Sequence, residues 1–267
     1  MTHTLTTTAT ATATAGPTPT NAPAAALSAR DLVKVYGRGD AQVRALDGAS
    51  IDIAAGTFTA IMGPSGSGKS TLLHLLAGLD RPDSGQLLLG DTDLTTLSER
   101  KRTLLRRDRF GFVFQAFNLV PALTAAENIA LPLTLAGRRP DPDHLSRLVE
   151  TLGLADRLTH RPAELSGGQQ QRVAVARALV TRPDVVFADE PTGNLDSRHG
   201  TALLEFLREA CSDLGQTIVM VTHDANAASY ADEVWFLADG RVVGTLTAPN
   251  AAQVSSRMVA LDERTGA

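Results

Sequence analysis

The sequence predicts an α/β fold: a core sheet of parallel strands joined by crossover helices, with a helical lobe inserted into it. Three observations carry this reading. Short runs rich in Val, Ile and Phe recur at "TFTAIMG", "FGFVFQ", "DVVFADE", "TIVMVTHD" and "VWFLADG", and near-continuous apolar runs of that length belong to strands buried on both faces. "TFTAIMG" runs through a Gly/Ser-rich loop into "STLLHLLAGL", whose leucines have helical spacing, so the order is strand, loop, helix. Between Pro121 and Arg182 the pattern is mostly helical, broken by turn signals at "GRRPDPD" and "HRP".

Taken in order, residues 1–26 are an uncharged Thr/Ala/Pro repeat that offers too little apolar surface to offset its ordering entropy, and a disordered tail is expected there. From Leu27 the texture changes. "LSARDLVKVYG" and "ALDGASIDIAAG" alternate apolar and polar residues between glycines, as half-buried strands do. The core strands and the helical lobe, about residues 116–182, follow, and a short extension is expected over 249–267. The chain has 267 residues, 43% apolar and 20% charged, with a net charge of −4, so nothing in its overall field suggests nucleic acid as a partner. The single cysteine, Cys211, excludes an internal disulfide framework and reads as a small packed residue in the periodic run "ALLEFLREACSDLG". No apolar run approaches the ~20 residues of a membrane span, and no cationic region followed by a hydrophobic stretch marks a secretory signal. The basic run "RKRTLLRRDR", Arg100 to Arg109, reads as a solvated helix face diluted by Glu99 and Asp108.

Chemistry enters at "GPSGSGKST". Gly63, Pro64, Ser65, Gly66, Ser67, Gly68, Lys69, Ser70 and Thr71 satisfy G-x-x-x-x-G-K-[ST] at every fixed position. The glycines let backbone N–H groups close around a phosphate, and the helix that follows turns its positive end to the same anion. Lys69 can reach the β- and γ-phosphates, and the Ser70 hydroxyl can ligate Mg²⁺. "DVVFADEPTGNLD" supplies acids at a strand end: Asp189, suited to hold Mg²⁺, and Glu190, which strand alternation should aim elsewhere, toward an attacking water. The pair argues for hydrolysis of a nucleoside triphosphate over transfer to a second substrate. A third stretch, "LSGGQQQRVAVARALV", places Ser166, Gly167, Gly168 and Gln169 before a helix expected from about Gln169. It resembles a seat for an anion, with backbone freed by its glycines, yet it holds no lysine and no acid.

With these three motifs in one chain, the sequence resembles the nucleotide-binding subunits of ABC transporters from Leu27 to about Leu246, "LSGGQ" being the most specific element. The resemblance implies a P-loop NTPase with a RecA-like parallel core, an antiparallel β subdomain and an inserted α-helical subdomain. It implies ATP and Mg²⁺ as ligands. It also assigns Tyr36 to the adenine, Gln115 to Mg²⁺ and the attacking water, Asp196 to the subunit interface and His223 to the γ-phosphate. The permease-coupled subgroup of the macrolide-export, lipoprotein-release and antimicrobial-peptide-export type is the most similar. The implied working unit is a head-to-tail dimer, with itself or a homologous subunit. In it the anion seat at Ser166 meets the phosphate held by Lys69 of the opposing chain. The implied partner is a separate integral-membrane permease, which would hold the protein at the cytoplasmic face of the membrane. An ATPase serving a non-transport membrane complex, such as a cell-division regulator, shares every one of these motifs. Translation-type proteins with two joined cassettes and chromosome ATPases with a long coiled coil do not fit, since each motif occurs once and the cassette is uninterrupted.

Overall fold

A computed structural model describes residues 25–193 and 195–265. Two sheets organise the chain. The first is antiparallel, with β1 (Ala25–Tyr36) between β2 (Val43–Ala54) and β4 (Ser84–Leu89), and the short β5 (Thr92–Asp93) at its edge. The second has six strands. β10 (Arg241–Thr247) runs antiparallel to β9 (Glu233–Ala238), which pairs in parallel with β3 (Phe58–Met62). β8 (Thr217–Val221), β7 (Val185–Asp189) and β6 (Phe110–Phe114) then continue the sheet in parallel. The expected α/β class, with its antiparallel portion, is what the chain adopts.

The parallel sheet is covered on both faces, which is why its strands read as unbroken apolar runs. Along β7, Val185 and Phe187 face one hydrophobic cluster and Val186 and Ala188 the other, as strand periodicity requires. The first face packs on α1 (Lys69–Leu76) and the antiparallel sheet. The second packs on α3 (Ala125–Leu135), α5 (Gly167–Leu179) and α6 (Ser197–Leu214). Phe187 lies edge-on to Phe110 at 5.2 Å between ring centroids, an arrangement that the aromatic quadrupole favours.

The helical segment between β6 and β7 holds α3, α4 (Pro142–Thr151) and α5. Each begins with a side-chain cap. Thr124 and Glu127 close a reciprocal box on α3, Asp141 caps α4, and Ser166 with Gln169 does the same for α5. The basic run forms α2 (Glu99–Arg109), and most of its charge is spent locally. Arg102 pairs with Glu99, Arg106 donates to the Gly78 carbonyl, Arg107 pairs with Asp108 and Arg109 with Asp184.

Two boundaries differ from expectation. The tail expected over residues 1–26 lies outside the described residues except for Ala25 and Ala26, which already pair within β1. The expected terminal extension is α8 (Ala251–Thr265). Its Val254 and Leu261 are buried in the same cluster as the parallel sheet, so this helix is part of the core. Cys211 is buried with its thiol on the Gly56 carbonyl, and desolvation pushes its pKa up to about 11, which fits a packing role.

Truncating Phe187 to Ala should lower stability by about 3–5 kcal/mol, because the buried ring packs against Phe110 and Phe112 and its loss leaves a cavity. Urea unfolding of the variant beside the parent measures it.

Candidate active site

The parallel ladder aligns four strand ends. Ile61 of β3 pairs with Val221 of β8, Val221 with Asp189 of β7, and Asp189 with Phe114 of β6. The predicted residues lie one or two positions beyond this row: the Gly63–Thr71 loop after β3, His223 after β8, Glu190 after β7 and Gln115 after β6. The carboxyl edge of a parallel sheet is where α/β folds bind ligands.

Gly68 caps α1 at φ 100°, and a Cβ there would stand 2.3 Å from the Ala45 carbonyl oxygen, so no other residue fits. Lys69 Nζ donates to the carbonyls of Gly63 at 2.8 Å and Pro64 at 2.7 Å, which holds the ammonium inside the loop. Desolvation lowers its pKa, partly offset by the charge of Glu190. Ser65, Gly66 and Ser70 are exposed, Thr71 is half-buried, and the buried Ser67 Oγ has no hydrogen-bond partner among the described residues. Tyr36 stands at the end of β1 beside the loop. Its hydroxyl donates to Asp80 at 2.9 Å, and Lys34 Nζ lies 5.1 Å from its ring centroid.

Asp189 closes β7, half-buried, and desolvation raises its pKa against the opposing charge of His74. Glu190 does not continue the strand alternation. It takes φ 46°, and this left-handed step re-aims the carboxylate so that Oε1 meets His223 Nδ1 at 2.9 Å. A non-glycine residue in that region stores roughly 1–3 kcal/mol. It is held there by its N–H on the Val221 carbonyl and by its own carbonyl, which accepts from Gly193. Gln115, exposed at the end of β6, packs on the same turn: a Cβ on Gly193 would meet its Nε2 at 2.7 Å.

The third motif is built differently from its reading. α5 starts at Gly167, two residues before the expected start, and neither Gly167 nor Gly168 has a positive φ. A Cβ on Gly168 would meet the His199 ring at 2.3 Å and force that half-exposed ring to move, whereas the same position on Gly167 is open. The Ser166 hydroxyl accepts from Gln169 N–H at 3.3 Å, and Gln169 Oε1 accepts from Ser166 N–H at 2.9 Å. Asp196 caps α6 through His199 N–H, and its other oxygen meets His199 Nδ1 at 2.7 Å. Those bonds hold its carboxyl below the usual range.

The structure thus brings Lys69, Asp189, Glu190, Gln115 and His223 to one edge. Among the described residues no hydrogen bond joins residues 165–171 to the Gly63–Thr71 loop. Two residues absent from the expected set tie α5 to that edge. Gln171, buried, donates to the Pro191 carbonyl at 3.2 Å. Arg177 donates to the carbonyls of Asn118 at 2.6 Å and Phe117 at 2.9 Å, the segment that follows Gln115. Burial lowers the Arg177 pKa, and it makes no ion pair among the described residues. The only sequence signal for either was a polar side chain on an otherwise apolar helix face.

A family model described as "ABC transporter" matches residues 46–193. A lipoprotein-releasing system ATP-binding protein, LolD 2, of Caulobacter vibrioides is 45% identical over 218 residues, 81% of this chain and 96% of its own length. The macrolide export ATP-binding/permease protein MacB of Marinobacter nauticus is 45% identical over 224 residues, 83% of this chain, which spans 35% of that relative's length. A solved dimeric ATP-binding cassette in a post-hydrolysis state, bound to ADP and Pi, superposes with a TM-score of 0.74 at 38% identity. That match covers 84% of this chain and 99% of the solved one.

Arg177→Met keeps the length of the side chain but leaves two carbonyls without their donor. Stability should fall by about 1–3 kcal/mol, read by chemical denaturation, and hydrogen exchange should quicken over residues 116–120.

Proposed function

Because this chain belongs to the ABC transporter family, we propose that it works as one half of a head-to-tail pair. In that pair the Gly63–Thr71 loop of one subunit and the Ser166–Gln169 segment of the other enclose each nucleotide. The chain is an ATP-binding and ATP-hydrolysing subunit. The observation that carries the paired arrangement is the amino end of α5. Ser166 and Gly167 are exposed, the first N–H groups of a helix have no partner within it, and none of these groups bonds to the chain's own phosphate loop.

In this reading Tyr36 stacks on the adenine, and Lys69 with the loop N–H groups of Gly63–Thr71 holds the β- and γ-phosphates. Glu190 receives the proton of the attacking water, aimed by His223, which also contacts the γ-phosphate. Asp196 reaches across the subunit boundary. Ser70, Gln115 and Asp189 offer only oxygen donors, the set that Mg²⁺ takes. Among the described residues no group of three or more His, Cys, Asp or Glu side chains would hold a cation unaided. The remaining ligands would therefore be phosphate and water oxygens, and the ion, when bound, would neutralise charge developing on the phosphates. ATP binding adds contacts from Ser166 and Gly168 to the γ-phosphate and closes the pair; hydrolysis removes them, the logic of other γ-phosphate switches.

No helix among the described residues is long and apolar enough to cross a membrane. A separate integral-membrane permease would receive the motion at the exposed segment after Gln115, where Val120 and Pro121 face solvent over the buried Asn128 amide. Attachment through that permease would place the protein at the cytoplasmic membrane face. The relatives named for macrolide export and lipoprotein release support export or extraction of a substrate of that kind as the work performed.

Glu190→Gln should bind ATP, lose about 10²–10⁴-fold in hydrolysis, and accumulate as an ATP-bound dimer in size-exclusion chromatography with light scattering. Parent-like turnover would remove Glu190 from its role. Ser166→Arg in the same background should still bind nucleotide but stay monomeric, and an ATP-induced dimer of that double variant would overturn the paired site. Lys69→Ala should lose nucleotide affinity, measured by calorimetry; unchanged affinity would count against the loop.

A further inference from the structure

Both segments that the paired reading sends across to the opposing subunit, the amino end of α5 and the loop carrying Asp196, meet at one side chain. His199 Nδ1 stands 2.7 Å from Asp196 Oδ2, and the opposite edge of the same ring occupies the space where a Cβ of residue 168 would be. The backbone N–H of His199 donates to the other Asp196 oxygen at 3.0 Å, so both carboxylate oxygens answer to one residue. We propose that His199 is a positioning residue that locks Asp196 to the Ser166–Gly168 turn, so that the two segments present a single rigid surface to the nucleotide of the opposing subunit.

The energetics favour a positional role over a structural one. The side chains of His199 and Asp196 are 48% and 66% exposed, and an exposed ion pair contributes little to stability. Asp196 would cap α6 through the His199 N–H whatever side chain stood at 199. What the imidazole adds is direction: a second bond on Asp196 and a flat face under Gly168. α5 is held from beneath as well, by Gln171 on Pro191, so the turn after Glu190, the Asp196 loop and the start of α5 form one connected unit. Misplacement of either segment by a small distance would weaken contacts made only in the closed pair.

The inference rests on the paired reading, and its test separates the two. In the Glu190→Gln background, the ATP concentration for half-maximal dimerisation is measured by light scattering for His199→Ala and His199→Asn. ATP affinity of the monomer is measured in parallel by calorimetry. His199→Ala should require about tenfold more ATP to dimerise, the scale of one lost hydrogen bond to a charged group, with monomer affinity unchanged. His199→Asn, which keeps a donor in place of Nδ1, should recover part of the loss. Gly168→Ala should impair dimerisation in the presence of His199 and do so less in the His199→Ala background, since the ring it would strike is gone. Unchanged dimerisation in His199→Ala, or strict additivity of the Gly168 and His199 changes, would overturn the proposal. A fall in monomer ATP affinity equal to the dimerisation loss would overturn it too, by showing a general structural defect. If the Glu190→Gln parent itself stays monomeric with ATP, the paired reading fails and this inference with it.

Discussion

Every part of the candidate site depends on the in-register parallel pairing of β3, β8, β7 and β6. Backbone hydrogen bonds fix Ile61, Val221, Asp189 and Phe114 in one row; β8, β7 and β6 stop there and β3 one residue later, at Met62. Because the ladder ends there, the next residues are free to turn, and the loop of Lys69, the Glu190 step, His223 and Gln115 all leave from the same line. A slip of one residue in β7 would reverse the faces of Val185 through Ala188 and bury the wrong set, so the hydrophobic clusters on both sides hold the chemistry in place. Positional precision at this edge is a by-product of core packing.

α5 carries that precision to the second half of the arrangement. It packs on β6 through an apolar face and sends polar contacts outward from Arg177 to the segment after Gln115 and from Gln171 to the turn after Glu190, while Gly168 lies against the His199 ring beside Asp196. The hydrogen bonds are all made to backbone carbonyls. They fix direction without a deeply buried ion pair, whose desolvation would be costly. The segment after Gln115 and the turn after Glu190 are thus both tied to one helix.

What the sequence made legible follows the range of each interaction. The loop Gly63–Thr71, the acids Asp189 and Glu190 and the capped turn at Ser166 were readable because their chemistry is local and their spacing is fixed by the backbone. The core strands were readable because burial on both faces erases polar residues from them. The α8 helix, placed as an extension, owes its docking to Val254 and Leu261 meeting a distant sheet. Gly168 was assigned to backbone freedom, yet its torsion is ordinary and its small size answers to a ring 31 positions away. The left-handed step at Glu190 was equally hidden, since alternation along β7 describes the strand and not the turn that ends it. The partners of Arg177 and Gln171 lie 20 or more positions away, so their polar side chains on an apolar helix face could mark them but not say what they meet.

The electrostatics of the edge say what kind of ligand it suits. Burial pushes Lys69 down and Asp189 up, so each group is driven toward its neutral form by the same desolvation. Glu190 helps the first and hinders the second, while the charge of His74 opposes the shift at Asp189. A polyphosphate beside Lys69 supplies the negative charge that restores the ammonium, and a divalent cation beside Asp189 supplies the positive charge that restores the carboxylate. The two shifts are opposite in charge, and a bound polyphosphate together with a divalent cation would offset both.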